Sequence, residues 1–262
     1  MLLRLSASGQ ETITDSVAVE EPLELRIGGR PTTVIMRTPG CDEELARGFL
    51  YTEGLIGAAG DLIGLRRPEH LKPEEVDNVL DLEVAPALVR IQPFQRNFYA
   101  SSSCGVCGKS SLAAIAVKSP PVESSLRVSQ RVIAALPDRL RAGQAAFAQT
   151  GGLHAAGFFD ARGDLLAVRE DVGRHNAVDK LIGWALHEGR LPARDLGLMV
   201  SGRTSFEILQ KAIAAGVPIV CAVSAPSSLA ISLAEKFGVT LVGFLRGGTM
   251  NVYAHAERIV PE

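Results

Sequence analysis

The sequence predicts an α/β protein: a larger C-terminal α/β lobe with a largely parallel sheet, residues 121–262, and a smaller β-rich N-terminal lobe, residues 1–120. Three observations predict it. The last part of the chain repeats short apolar runs, Leu196 to Val200, Ile219 to Val223 and Val239 to Phe244, separated by the helical stretches Ser205 to Ala215 and Ser227 to Phe237. That alternation is the signature of right-handed βαβ crossovers. The early part instead carries two strand-like runs around a Gly28-Gly29 turn, and the stretch Ser119-Pro120-Pro121-Val122-Glu123-Ser124-Ser125 between the two regions has linker character. With 262 residues, 47% of them hydrophobic, the chain can build a sizeable buried core.

In order along the chain, Val17 to Ile27 and Pro31 to Arg37 pair as a hairpin across Gly28-Gly29. Asp42-Glu43-Glu44 then opens a helix with Leu45, Phe49 and Leu50 on one face, acidic residues at the positive end of its dipole and Gly54 near its end. Strand candidates return at Val79 to Val84 and Val89 to Ile91, and Ser110 to Val117 has helical composition. Beyond the linker, Leu165 to Val168 reads as a strand that turns into a helix running from Ala177 toward His187.

Composition excludes several classes. A formal net charge of -2 leaves no electrostatic footprint for nucleic acid or an anionic membrane, so a charged ligand must be met locally. The N-terminus, Met1-Leu2-Leu3-Arg4-Leu5-Ser6, lacks the apolar core of a signal peptide. No apolar segment approaches the roughly 20 residues that span a bilayer. A cytoplasmic protein is expected, with no nucleic-acid or membrane partner.

Chemistry concentrates at Ser101-Ser102-Ser103-Cys104-Gly105-Val106-Cys107-Gly108-Lys109-Ser110. Glycines and serines suit a turn and leave the sulfur approachable, and a following helix N-terminus together with Lys109 would stabilise thiolate charge. Cys221 lies in an apolar strand pattern and reads as a core residue; Cys41, after Pro39-Gly40, reads as a helix-start residue without chemistry. Cys104 and Cys107 are compatible with thioredoxin-like exchange, but the Ser-Ser-Ser run differs from the bulkier residues usual there. A zinc site needs about four ligands, and the sequence has no second Cys-x-x-Cys or His-x-x-x-His pair; a zinc deaminase would also need His-x-Glu or Cys-x-Glu before Pro-Cys-x-x-Cys. No metal is therefore expected. Sulfur handling, in which a thiolate carries a sulfane sulfur as a persulfide, is the remaining chemistry.

A second constellation falls at the carboxyl ends of the three repeating strands: Ser201-Gly202-Arg203-Thr204-Ser205, Ser224-Ala225-Pro226-Ser227-Ser228 and Leu245-Arg246-Gly247-Gly248-Thr249. Ligands of open α/β sheets bind at this edge, where helix N-termini offer unpaired N–H groups. Serines and threonines also cap helices, but capping does not call for Arg203 and Arg246 together with paired glycines. The turn Arg169-Glu170-Asp171-Val172-Gly173-Arg174-His175-Asn176 adds Arg174 and His175 as functional candidates. There Asp171 would stabilise the turn, and Asn176 or His175 would cap the helix.

Taken in order, Ser103-Cys104-Gly105-Val106-Cys107-Gly108, the run from Glu170 to Lys180, Ser201-Gly202-Arg203, Ser224 to Ser228, Phe244-Leu245-Arg246 and Asn251-Val252-Tyr253 resemble the formate dehydrogenase accessory sulfurtransferase family, FdhD, over nearly the whole chain. The resemblance implies a cytoplasmic sulfur carrier that receives sulfur from a cysteine desulfurase. It would sulfurate the bis-molybdopterin guanine dinucleotide molybdenum cofactor before insertion into formate dehydrogenase. It implies a persulfide on Cys104 with Cys107 assisting, a larger lobe like cytidine deaminase without the zinc, and a homodimer. The family's cofactor-binding segment falls on Phe244, Leu245, Arg246, Gly247, Gly248 and Thr249. Arg203 and Arg246 would then meet phosphates, Ser201, Ser224 and Ser227 would hydrogen-bond, and Arg174 and His175 would complete the site. The competing reading is a cofactor or guanine-nucleotide chaperone whose cysteines are structural or redox-regulatory.

Overall fold

The computed structural model describes residues 1–69, 71–73, 75–86 and 119–261, with the backbone of Phe98–Ala100. Cys104, Cys107, Lys109, the strand candidate Val89 to Ile91 and the helical stretch Ser110 to Val117 lie outside the described residues.

The chain begins with an exposed hairpin of β1 (Leu2–Ser6) and β2 (Gly9–Ile13), which sequence patterning did not single out. The predicted hairpin follows as β3 (Glu21–Ile27) and β4 (Arg30–Arg37), closed by Gly28 and Gly29 at φ +57° and +77°, a turn that side chains with a Cβ rarely adopt. Next come α1 (Asp42–Thr52), β5 (Leu62–Arg66), β6 (Val79–Val84) and β7 (Phe98–Ala100). These strands form a sheet in the order β5-β6-β3-β4-β7. Alternate residues Leu23, Leu25, Leu80 and Leu82 place one face of the sheet on Leu45, Ala46 and Leu50 of α1. Arg37, fully buried, fixes the entry to that helix: its guanidinium donates to both oxygens of Asp42 at 2.9 and 3.1 Å, and to Asp77 O and Asn78 Oδ1.

The second region contains β8 (Val128–Ser129), α2 (Gln130–Ala142), α3 (Ala145–Thr150), β9 (His154–Phe159), β10 (Leu165–Asp171) and α4 (Arg174–His187). It continues with β11 (Gly197–Val200), α5 (Phe206–Ala214), β12 (Ile219–Ala222), α6 (Ser228–Phe237), β13 (Thr240–Arg246), β14 (Thr249–Ala254) and β15 (Ile259–Val260). The six-stranded sheet runs β10-β9-β11-β12-β13-β14. Only β11/β12 and β12/β13 pair in parallel; β10/β9, β9/β11 and β13/β14 are antiparallel. The expected largely parallel sheet is thus a mixed one. Helical crossovers impose parallel pairing, as α5 and α6 do, whereas the tight turns after Phe159 and at Gly247-Gly248 return the chain antiparallel.

Strand alternation makes two cores from one sheet. Phe158, Leu198, Val200, Val220 and Leu241 face α4, α5 and α6, while Phe159, Met199, Ile219, Cys221 and Val242 face Ile133, Leu136 and Leu140 of α2. Ser129 caps α2, accepting from Val132 N–H at 3.3 Å.

Helix α1 from the N-terminal region packs directly on α4. A Cβ on Gly48 would overlap Asp179 O, and one on Gly183 would overlap Glu44 O, so the two backbones touch where only glycine fits. Buried ion pairs lock this junction. Lys211 Nζ of α5 lies 2.9 and 2.8 Å from the Asp179 oxygens of α4, and Thr52 of α1 donates to Asp179 at 2.8 Å.

Candidate functional site

Strands β10, β11, β12 and β13 all end at one edge of the six-stranded sheet, and α4, α5 and α6 begin there. The predicted gathering of strand ends and helix N-termini is therefore observed. It includes one member that the sequence reading did not single out: β9 starts at this edge because it runs antiparallel, so His154 pairs with Asp171 and joins the group.

The Glu170 to Lys180 run is mostly structural. The Asp171 carboxylate, fully buried, accepts from Gly173 N–H and Asn176 Nδ2 at 2.8 Å and from Thr38 N–H at 3.1 Å, and it pairs with Lys180 at 2.8 Å. Asn176 also donates to Met36 O, and Lys180 to Thr38 O. The Asp171 role in the turn is as expected, but Asn176 reaches across to the end of β4 instead of capping α4, whose N-cap is Gly173. Glu170 accepts from Ala146 and Phe147 N–H at the start of α3.

Arg174, at the first position of α4, has a buried Nε without a hydrogen-bond partner among the described residues. His175 turns toward α5, its Nε2 3.4 Å from Ser205 Oγ and 3.7 Å from Glu207 Oε2. The neighbouring His175 imidazole, together with hydrogen bonding from Ser205 and its own backbone N–H, holds Glu207 down at about 2. His154 lies beside Gly202, and burial, with Arg174, His175 and Arg203 nearby, pushes its imidazole below the ordinary histidine value.

The loops contribute unequally. Ser201 extends the β9 ladder, its N–H donating to Ala155 O and its Oγ accepting from Ala155 N–H, both at 2.9 Å. Ser227 caps α6, accepting from Ala230 N–H at 3.2 Å. The Ser224 carbonyl accepts from Phe244 N–H at 3.2 Å. Arg203 is exposed and makes no ion pair among the described residues. Thr204, named in the sequence only as part of its strand-end loop and given no role of its own, is 1% exposed, and its Oγ1 is a second polar atom without a hydrogen-bond partner among the described residues.

The Phe244 to Thr249 segment divides by function. Leu245 is a core residue, buried with Met199 and Val242. Phe244 has φ +51° within a bulge that carries the β13–β14 hairpin onward, and Arg246 stands exposed with its guanidinium 5.7 Å from the Phe244 ring centre. Gly247 and Gly248 make the turn at φ +59° and +76°, and Thr249 Oγ1 donates to Arg246 O.

A cavity of about 590 Å³ opens next to this edge, lined by Asp138, Leu140, Arg141, Gln144, Phe147, Leu153, His154, Ser201 and Val223 among others. Its α2 and α3 residues were not foreseen: they approach the strand ends only through tertiary packing. A second cavity lies against Arg37, Cys41, Asp42 and Glu44. Burial and Glu44 raise the Cys41 thiol above its ordinary value, which disfavours thiolate there, and burial raises Cys221 further still. Among the described residues no group of three or more His, Cys, Asp and Glu side chains could hold a metal ion, and no helix is long and apolar enough to cross a membrane.

Fold and edge define a mixed α/β protein whose strand ends gather helix N-termini and arginines. The description of the FdhD/NarQ family matches residues 18–260, and the chain belongs to that family. Relatives named sulfur carrier protein FdhD include one from Mycolicibacterium paratuberculosis, 54% identical over 250 residues and covering 94% of this chain and 92% of the relative. Another, from Saccharolobus solfataricus, is 44% identical over 262 residues, covering 98% of this chain and 96% of its own. A crystal structure described as a formate dehydrogenase accessory protein from Desulfotalea psychrophila matches with a TM-score of 0.77 at 24% identity, over 99% of this chain and 97% of that one, and shows the shared fold.

Proposed function

We propose that this protein is a cytoplasmic, homodimeric persulfide carrier that serves formate dehydrogenase. The Cys104 thiolate attacks the outer sulfur of a cysteine desulfurase persulfide, leaving a Cys104 persulfide and the desulfurase thiolate, an exchange that needs no external oxidant. Release of that sulfur as sulfide takes two electrons. Cys107 supplies them by attacking Cys104 Sγ and closing a disulfide, which a cellular thiol then reduces.

The recipient is the bis-molybdopterin guanine dinucleotide cofactor, bound as cargo with its guanine nucleotide ends along the strand edge. Arg203 and Arg246 face its phosphates, with Arg174, His175, Ser201, Ser224, Ser227 and the Phe244 to Thr249 hairpin around them. The observation that carries this reading is the convergence of three helix N-termini with those arginines, where Arg174 Nε and Thr204 Oγ1 are buried without partners among the described residues. A cytidine-deaminase-like larger lobe belongs to the same proposal, supported by the parallel β11–β13 centre between helical layers.

Incubation with a cysteine desulfurase and cysteine is expected to add the mass of one sulfur atom, removable by thiol reductant and lost in Cys104→Ala. Absence of the adduct in the unsubstituted protein would leave a cofactor-binding chaperone with structural or redox-regulatory cysteines.

A further inference from the structure

We propose that the second cavity, between the start of α1, the end of α4 and the N-terminal sheet, binds a small sulfur-containing α-amino acid as its zwitterion and presents its sulfur to Cys41. The cavity holds about 720 Å³, within the usual range for small-molecule sites, and shares no lining residue with the cavity at the strand edge. Its two walls carry free charges of opposite sign. On the sheet wall, Glu21 opens β3 with its side chain 43% exposed and only a long 3.5 Å contact to Arg37, and Asp77, exposed ahead of β6, has no ion pair among the described residues. On the helix wall, Arg47 of α1 meets Glu43 at 3.7 Å, beyond hydrogen-bond reach, and His187 stands exposed at the end of α4. The other charges are consumed, Arg37 and Arg67 on Asp42 and Arg169 on Glu44. Carboxylates facing cations across one cavity complement a molecule that carries an ammonium and a carboxylate together; a purely anionic or purely cationic ligand leaves one wall unanswered.

Cys41 supplies the third contact. It is exposed at the N-cap of α1 without a capping hydrogen bond, so its sulfur takes no part in starting the helix. Burial and Glu44 raise its thiol, so a reagent diffusing past finds little thiolate, and residence in the cavity decides the rate. In its disulfide form the bound amino acid exchanges with Cys41. The Cys41 thiolate attacks one sulfur, a bond from Sγ forms as the S–S bond breaks, and the other half leaves as a thiolate that takes up the proton Cys41 gave up; the small disulfide is the oxidant.

Peptide mass spectrometry of Cys41 modification tests this with cystine, cystamine, dithiodipropionate and the neutral hydroxyethyl disulfide, each rate divided by that on the urea-unfolded chain to remove intrinsic reactivity. Cystine is expected to exceed the neutral reagent by about tenfold or more on this scale. Glu21→Gln combined with Asp77→Asn should slow cystine and cystamine but not dithiodipropionate, and Arg47→Gln or His187→Gln should slow cystine and dithiodipropionate but not cystamine. The neutral reagent should respond to none of these variants, each checked for folding by circular dichroism. Equal normalised rates for all the reagents would make Cys41 an accessible thiol and nothing more. A cystine preference unmoved by the variants, or no cystine adduct on Cys41, would equally overturn the proposal.

Discussion

Lys211→Met isolates the buried pair that joins three helices. It removes an ammonium 2.8 and 2.9 Å from the Asp179 carboxylate and 3.0 Å from Thr52 Oγ1, leaving Asp179, 2% exposed, with the Thr52 hydroxyl alone. At 2.8 Å and an effective dielectric of about 20, the lost attraction is roughly 6 kcal/mol. Methionine no longer has to be desolvated as an ion, which brings the expected net loss to about 3–5 kcal/mol. For a chain of this size that lowers the unfolding midpoint by on the order of 10 °C.

The loss has a predicted pH signature. Burial drives the Asp179 pKa up from 3.8, while Lys211 and Thr52 oppose that shift. Removing Lys211 leaves burial dominant. A carboxyl whose folded pKa lies above its unfolded value contributes stability that is complete below the unfolded value and declines as pH rises through the folded one. The Lys211→Met defect is therefore largest near neutral pH and shrinks toward pH 4. Asp179→Leu combined with Lys211→Met should restore most of the loss, since neither charge remains. Thermal and urea unfolding followed by circular dichroism measure both effects. A single-variant loss under about 1 kcal/mol, a loss independent of pH, or a double variant as damaged as the sum of the two singles would refute the reasoning.

Gly48→Ala and Gly183→Ala should each cost about 3 kcal/mol, because the added methyl meets opposing backbone that cannot turn aside; wild-type melting temperatures would disprove the close α1–α4 crossing. Glu207, held at about 2 against an ordinary 4.5, contributes stability that is present above 4.5 and lost as pH falls through 2. Glu207→Gln should thus flatten acid unfolding across that window by up to about 3 kcal/mol, read as the difference between melting curves at pH 6 and pH 2.5. In native protein Cys221 should resist iodoacetamide until the chain unfolds, as peptide mass spectrometry would show, since it is fully buried and its thiol is raised.

Apolar runs between turn residues made the β11–α5–β12–α6–β13 succession legible, because each strand is buried on both faces and each helix alternates with a strand. The β3–β4 hairpin was equally legible from Gly28-Gly29. Strand β9, His154-Ala155-Ala156-Gly157-Phe158-Phe159, was missed because a short apolar run of small and aromatic residues fits a helix or a strand equally well. Its antiparallel course, together with the β13–β14 hairpin, is what makes the sheet mixed. Helix α2 did carry a signal, Ser129 before Ile133, Leu136 and Leu140 at helical spacing.

The site shows the same division. Its strand-end loops, arginines and helix starts follow from local pattern, since strand direction and turn chemistry are written in neighbouring residues. The motif from Glu170 to Lys180 also stood out, yet most of its polar groups are consumed in fixing a turn to a loop more than 130 residues away in sequence, as with Thr38 and Asp171. Sequence by itself determined the alternation of strands and helices and the residues at the strand ends. Tertiary structure alone decided which charges are buried in pairs, which glycines let helices touch, and that Asp138, Arg141 and Phe147 stand beside His154 and Ser201. Those facts depend on distances between segments remote in the chain, which local periodicity does not encode.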